Sequence, residues 1–186
     1  EDLRRLCASV DAAAPAPAAG APRVLALTLR GWANHATIET LIVQALRLRG
    51  AHVETLRCGG GQPACEMGWG REAYPRPCDR CAWHTDRVTA TAGVPRHALV
   101  DGFAWGPDGR RAPGEPPASD VDLDWATAVS VPWFLKATHT EALPEAPQAW
   151  NDFKVAAGAV EDSARRVLDA VRPDVVFMIN GLFAAE

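Results

Sequence analysis

With 186 residues, 48% of them hydrophobic and 23% charged, the chain has the length and composition of one globular domain that buries roughly 70% of its unfolded surface. A formal net charge of −4 and the lack of any basic stretch argue against a nucleic-acid partner, which needs a row of cations to neutralise its phosphates. No apolar run approaches the roughly 20 residues that span a bilayer, and the charged opening from Glu1 to Leu6 is unlike a secretory signal, so the expected compartment is the cytoplasm.

Glu1 to Cys7 carries Leu3 and Leu6 and reads as a short helical turn. Residues 8 to 22 are small and punctuated by prolines; they offer too little apolar area to offset their ordering entropy and read as a flexible linker. The folded domain is therefore expected over residues 23–186. Arg23-Val-Leu-Ala-Leu-Thr-Leu29 is the nearly continuous apolar run of a strand buried on both faces of a parallel sheet. After a turn at Arg30 to Asn34, apolar residues recur at Ile38, Leu41, Ile42, Ala45, Leu46 and Leu48, close to a 3.6 period. That spacing predicts a helix over 34–49 with these side chains inward. Arg47 and Arg49 suit its carboxyl end, and Gly50 supplies a left-handed cap. Ala51 to Arg57 is a second strand, which completes a βαβ unit.

The middle, from Cys58 to about Asp120, is rich in Gly, Pro, Trp and Arg and shows no sustained period. It reads as an irregular Cys-rich insertion after the second strand, too long for a plain loop without something to organise it. Residues 122–138 are expected to be helical in part, with Pro132 breaking or beginning a helix. From Ala149 to Val171 a helix is predicted with Phe153, Ala156, Ala157, Val160, Ala164, Val167, Leu168 and Val171 on one side, ended by Pro173. Asp174 to Ile179 is a third strand, and Asn180-Gly181 its turn. The fold class is α/β, a Rossmann-like parallel sheet flanked by helices. So few strands make an unfinished sheet, so the chain is expected to be the amino-terminal part of a larger protein.

Three constellations can carry chemistry. Cys58, Cys65, Cys78 and Cys81 form a four-sulfur set, C-x6-C-x12-C-x2-C, with His84 as a substitute ligand. Such a set holds a structural zinc ion, or an iron–sulfur cluster as the alternative. The same cysteines also fit reduced thiols packed as small apolar groups, or disulfides in an oxidising compartment. A redox role for Cys78-x2-Cys81 would call for the pair at a helix amino terminus after a strand. The second constellation is Gly31-Trp-Ala-Asn34-His35 at the carboxyl end of the first strand. Ligands bind at that edge in open α/β sheets, Gly31 and Asn34 are candidate binding residues, and His35 is a candidate general base. A purely structural role has Asn34 capping the helix and His35 at the surface. The third is Asn180 with Glu186, able to donate to a substrate oxygen and accept from a sugar hydroxyl, or simply a turn and a helix start. Trp69, Tyr74, Trp83 and Trp105 suit stacking on sugar rings as well as burial.

The segment from Arg23 to Glu54, with its early Gly and His and the run ALRLRGAHVETL, resembles the opening of GT-B glycosyltransferases. LRCGGGQPACEMGW with PRPCDRC, and the closing RPDVVFMINGLFAAE, resemble the amino-terminal regions of bacterial surface or capsular polysaccharide glycosyltransferases. The resemblance implies transfer of a sugar from a nucleotide-sugar donor to a carbohydrate or other hydroxyl acceptor by two Rossmann-like domains facing one cleft. It implies that this domain holds the acceptor, that His35 is the base, and that the chain is inactive without a carboxyl-terminal donor domain. Gly31 and His35 are separated by three residues here, whereas many members have them adjacent. The alternative from another class is a metal-stapled Rossmann-like module that binds a protein or carbohydrate and catalyses nothing.

Overall fold

A computed structural model of the chain describes residues 2–60, 62, 64–67, 78–99, 118–179 and 181. The elements run α1 (Asp2–Ala13), β1 (Arg23–Thr28), α2 (Ala33–Leu48), β2 (His52–Arg57), α3 (Cys78–Thr91), β3 (Arg96–Ala98), α4 (Leu123–Thr127), α5 (Ser130–Leu135), α6 (Ala146–Val171) and β4 (Val175–Phe177). The four strands form one sheet in the order β3-β2-β1-β4, and every pairing is parallel. Arg23 to Thr28 lie opposite His52 to Arg57, while Val24 lies opposite Val175 and Thr55 opposite Arg96. This is the Rossmann-like α/β sheet expected from the apolar runs.

The chain divides into two compact units, the first formed by Glu1–Gly59, Arg80–Leu99 and Arg166–Ile179, the second by Gly60–Asp79, Val100–Arg165 and Asn180–Glu186. In the first, Val24, Ala26, Val43, Ala51, Val53 and Ala92 form a buried core joined by Leu46, Val94 and Phe177. Alternate residues of β1 and β2 thus meet α2 and the turn after α3. In the second, Val131 and Leu135 of α5 pack with Ala146, Ala149 and Phe153 of α6, Ala64 completes the cluster, and Phe134 meets Phe153 edge-on at 5.3 Å between centroids. Ser130 Oγ donates to Glu66 Oε1 at 2.6 Å inside this unit.

Three expectations need correction. The linker expected from residue 8 is helical as far as Ala13, with Cys7 and Val10 buried. The alanines that offer little burial have the best helix propensity, and Pro15 marks where the helix has stopped. Asp11 on this helix pairs with Arg47 of α2 at 2.7 Å. The second correction concerns α2, which occupies nearly the expected residues but is turned. Ala36, Glu39, Thr40, Val43 and Gln44 are buried, whereas Ile38, Leu41 and Leu48 are exposed. Apolar residues surround α2 on several sides, so the period alone does not select the inner one. What allows the polar side inward is satisfaction: Gln44 Nε2 donates to the Ala92 carbonyl at 2.8 Å and Thr40 Oγ1 to the Ala36 carbonyl at 2.8 Å. Third, the insertion is not irregular throughout, since it contains α3 and the strand β3. Gly50 is left-handed at φ 80° as expected, the 122–138 stretch is helical in two pieces with Pro132 in the first turn of α5, the third expected strand is the shorter β4, and α6 buries Phe153, Ala156, Ala157, Val167 and Val171 with Val160 and Ala164 half-buried. Leu168, placed with that face, is 38% exposed. Among the described residues, no helix is long and apolar enough to cross a membrane.

Candidate functional site

From β1 the chain moves one way along the sheet to β2 and β3, and β4 then pairs on the other side of β1. The strand order therefore reverses between β1 and β4. At such a switch point the loops leaving neighbouring strands part in opposite directions, opening a crevice outside the carboxyl ends where ligands of open α/β sheets bind. The end of β1 brings Arg30 to His35 to this place, and the end of β4 brings Ile179. Asn180 and Glu186, the candidates after β4, lie outside the described residues, as do Trp69, Tyr74 and Trp105.

At the β1 corner, Gly31 N–H donates to Cys81 Sγ at 3.0 Å. A Cβ on Gly31 would stand 2.8 Å from Cys81 Cα and 2.9 Å from its Sγ, so only glycine permits this approach of α3. The same contact occupies the Gly31 amide, which is then not offered to a ligand. Helix α2 starts one residue earlier than expected, with Trp32 as its N-cap residue and no side-chain cap hydrogen bond. Asn34 is consequently not the cap but an exposed residue of the first turn. His35 is half-buried, its ring edge-on to Trp32 with centroids 4.9 Å apart. The buried guanidinium of Arg30 lies 5.3 Å from the Trp32 ring centroid. The buried carboxylate Glu39 follows His35 by one turn. Arg30 and Glu39 carry no motif in the sequence and emerge only from the folded corner.

None of the five cysteines is joined in a disulfide. Cys58 directly follows β2 and Cys81 sits in α3, both in the first unit; Cys65 and Cys78 belong to the second. Burial pushes the Cys81 thiol above its ordinary pKa, and the nearby Cys58 adds to this, while the Gly31 N–H and the Arg30 charge favour the thiolate. Among the described residues, no three His, Cys, Asp or Glu side chains are gathered so as to hold a metal ion. Cys78 opens α3, so Cys78-x2-Cys81 does lie at a helix amino terminus, one half of what dithiol chemistry requires; residues 68–77 before it lie outside the described set.

Sequence reading missed a second polar group, on the sheet itself. Glu54 of β2 accepts from His52 Nε2 at 2.9 Å and from His97 Nε2 at 2.5 Å, one histidine on each carboxylate oxygen, with Arg23 Nη2 3.6 Å away. Burial raises the Glu54 pKa, but the two histidine hydrogen bonds outweigh it and hold the carboxyl below its ordinary value. His52 and Glu54 share a face because they are two residues apart on one strand, and β3 brings His97 beside them. No family model matches the chain, and no curated protein is found to match it.

Two outcomes are expected from these contacts. Gly31→Ala forces a methyl group against the Cys81 backbone and sulfur, so it should cost about 1–3 kcal/mol in urea denaturation; a change within a few tenths would mean that α3 does not close on β1 there. Glu54, with its folded pKa depressed, contributes stability that is complete above the unfolded carboxyl range, near pH 4.3, and is lost as pH falls through the folded value. Denaturation of the wild type and Glu54→Gln across acid pH should show the wild type ahead at neutral pH and the gap narrowing below about pH 4. A gap independent of pH would deny the histidines this role.

Proposed function

We propose that the chain is the acceptor-side domain of a GT-B-like glycosyltransferase, which transfers a sugar from a nucleotide-sugar donor to a glycan or another hydroxyl acceptor. The observation that carries the reading is the place of Trp32 to His35 at the switch point between β1 and β4. The acceptor lies against Trp32 and the exposed Asn34. His35, fixed by the Trp32 ring, takes the proton from the attacking hydroxyl as the new glycosidic bond forms and the nucleotide leaves. The indole fixes the imidazole so that little rotamer freedom is lost on reaction. Gly31 acts by positioning, since its amide is committed to Cys81. The nucleotide is held by a donor domain outside this sequence.

In the same reading Cys58, Cys65, Cys78 and Cys81 hold a structural zinc ion and take no part in transfer. Four thiolates are the donor set of a closed zinc site; burial holds the Cys81 thiol above its ordinary pKa, with the Gly31 N–H and Arg30 opposing it only in part, so the bound cation itself would have to stabilise the thiolate. Elemental mass spectrometry on protein purified under reducing conditions is expected to find about one zinc per chain, with those four thiols protected from alkylation. Metal-free protein with Cys58 and Cys78 freely alkylated would remove the zinc while leaving the β1 corner untouched.

The catalytic reading is tested by amide chemical shifts of the labelled chain. Short neutral oligosaccharides are expected to move the amides from Gly31 to Ala36, whereas UDP-glucose leaves them in place. His35→Ala should bind the oligosaccharide within a few-fold of wild type, yet lower transfer about 10²- to 10⁴-fold once a donor domain is supplied. Shifts produced by the nucleotide-sugar alone would make this corner a donor site and overturn the assignment.

A further inference from the structure

The stretch from Leu123 to Leu135 is nearly one helix, because Ala128 and Val129 between α4 and α5 keep right-handed helical dihedrals. Its inner side buries Thr127, Ser130, Val131 and Leu135. Its outer side is apolar as well: Trp125, Ala128, Val129, Pro132 and Trp133 follow one another at the i, i+3, i+4, i+7, i+8 spacing that normally marks a core-facing stripe. Here the stripe faces water, with Trp125 77% and Trp133 48% exposed. A contiguous exposed patch bearing two large aromatics is the surface feature that calls for a ligand.

Charge and spacing select which ligand. Three carboxylates, Asp120, Asp122 and Asp124, flank the Trp125 end, and the Asp120 side chain stands almost wholly in solvent. Among the described residues the cations nearby are committed, Lys154 to Asp124 at 2.6 Å, Arg165 to Glu161 at 2.6 Å and to Asp120 at 3.7 Å, and Lys136 over the Trp133 ring at 4.8 Å. A polyanion or an anionic lipid surface is repelled from such a flank. An acyl chain or an apolar peptide would gain from the indoles but would have to strip water from the carboxylates. A pyranose chain suits both parts. Its C–H faces pack on the electron-rich indole rings, and its hydroxyls donate to the carboxylates without any charge being paired or buried. Eight residues of helix separate the two tryptophans by about 12 Å along the axis, which calls for several linked sugars. The ridge is also fixed in advance: the Asp122 carboxylate accepts from the amides of Asp124 and Trp125 at 3.0 and 3.1 Å, holding the turn that presents Trp125.

We propose that the Trp125–Trp133 ridge is a binding platform for an extended, uncharged polysaccharide chain. The inference rests on the glycan-acceptor reading above and narrows the acceptor to a neutral polymer.

The test is affinity electrophoresis of the whole chain in native gels containing dextran, galactomannan or hydroxyethylcellulose. At least one polymer is expected to retard the wild type. Trp125→Ala and Trp133→Ala should each weaken that retardation, and the double variant should lower the apparent affinity about tenfold or more. Trp125→Phe should keep part of the effect, with unchanged thermal midpoints showing that each variant folds. The proposal is overturned if the double variant is retarded like the wild type, or if no polymer retards the wild type. It is equally overturned if the tryptophans prove to be needed for pelleting with phosphatidylglycerol vesicles or for a dimer in sedimentation velocity. Retardation lost with oligosaccharide shifts at Gly31 to Ala36 intact supports both readings. Retardation lost with those shifts absent keeps the platform and fails the β1 corner.

Discussion

Where β1 ends, the Gly31 backbone passes so close to α3 that even a methyl group would sit 2.8 Å from Cys81 Cα, and the arrangement of that edge follows from the contact. It brings the Cys81 sulfur onto the Gly31 amide. It also sets where the backbone can turn into α2, so that Trp32 becomes the first capping position and Arg30 and His35 both meet its ring. A bulkier residue would have to move the strand or the helix, and either movement would reach His35 through Trp32. The glycine thus serves the site through packing, a different reason from the close approach to phosphate that glycines provide in dinucleotide folds.

A second constraint recurs through the molecule: much of what it buries on its helices is hydroxyl, satisfied locally. Thr85 donates to the Cys81 carbonyl at 3.0 Å, Thr89 to Thr85 at 2.7 Å, Thr40 to Ala36 at 2.8 Å and Thr127 to Leu123 at 2.6 Å, each one turn back along its own helix. A threonine bonded this way presents a methyl group and no unsatisfied donor, so it can enter a core nearly as a small apolar residue would.

That habit decides how much was legible in the sequence. Strands β1 and β2 announce themselves as short apolar runs, and α6 as a long periodic stripe, because burial there is carried by Leu, Val, Ala and Phe, whereas β4 is legible from its apolar run although Val175 and Val176 are exposed. Helix α3 is invisible to the same reasoning, for its buried residues are Thr85 and Thr89, and β3 is only three residues long. In α2 the residues were right and the rotation was wrong, since counting Ile and Leu selects the side that faces solvent. At the candidate site, the general rule that ligands meet strand carboxyl ends singles out Gly31, Asn34 and His35, which do lie just after β1. The roles inside that set depended on one residue of helix start and on α3, neither of which the sequence displays. The Glu54 cluster was out of reach for another reason: His97 lies 43 residues from Glu54 in the chain, on a strand too short to predict.

The same inversion links the internal chemistry to the outer surface. If hydroxyls and a buried amide can line the inner side of a helix, apolar side chains no longer have to be spent there, and they become available to face outward. On α2 this leaves Ile38, Leu41 and Leu48 in water, and on α4 and α5 it leaves Trp125, Val129 and Trp133. The two surfaces differ in kind. The α2 stripe is aliphatic, a shape that many apolar partners would satisfy, and nothing around it favours one of them. The tryptophan ridge combines large flat rings, a capped and therefore fixed turn, and an acidic flank. Each restricts the set of partners further, because rings demand flat apolar faces, rigidity demands a matching repeat, and carboxylates demand donors without negative charge. An uncharged glycan meets all three conditions at once.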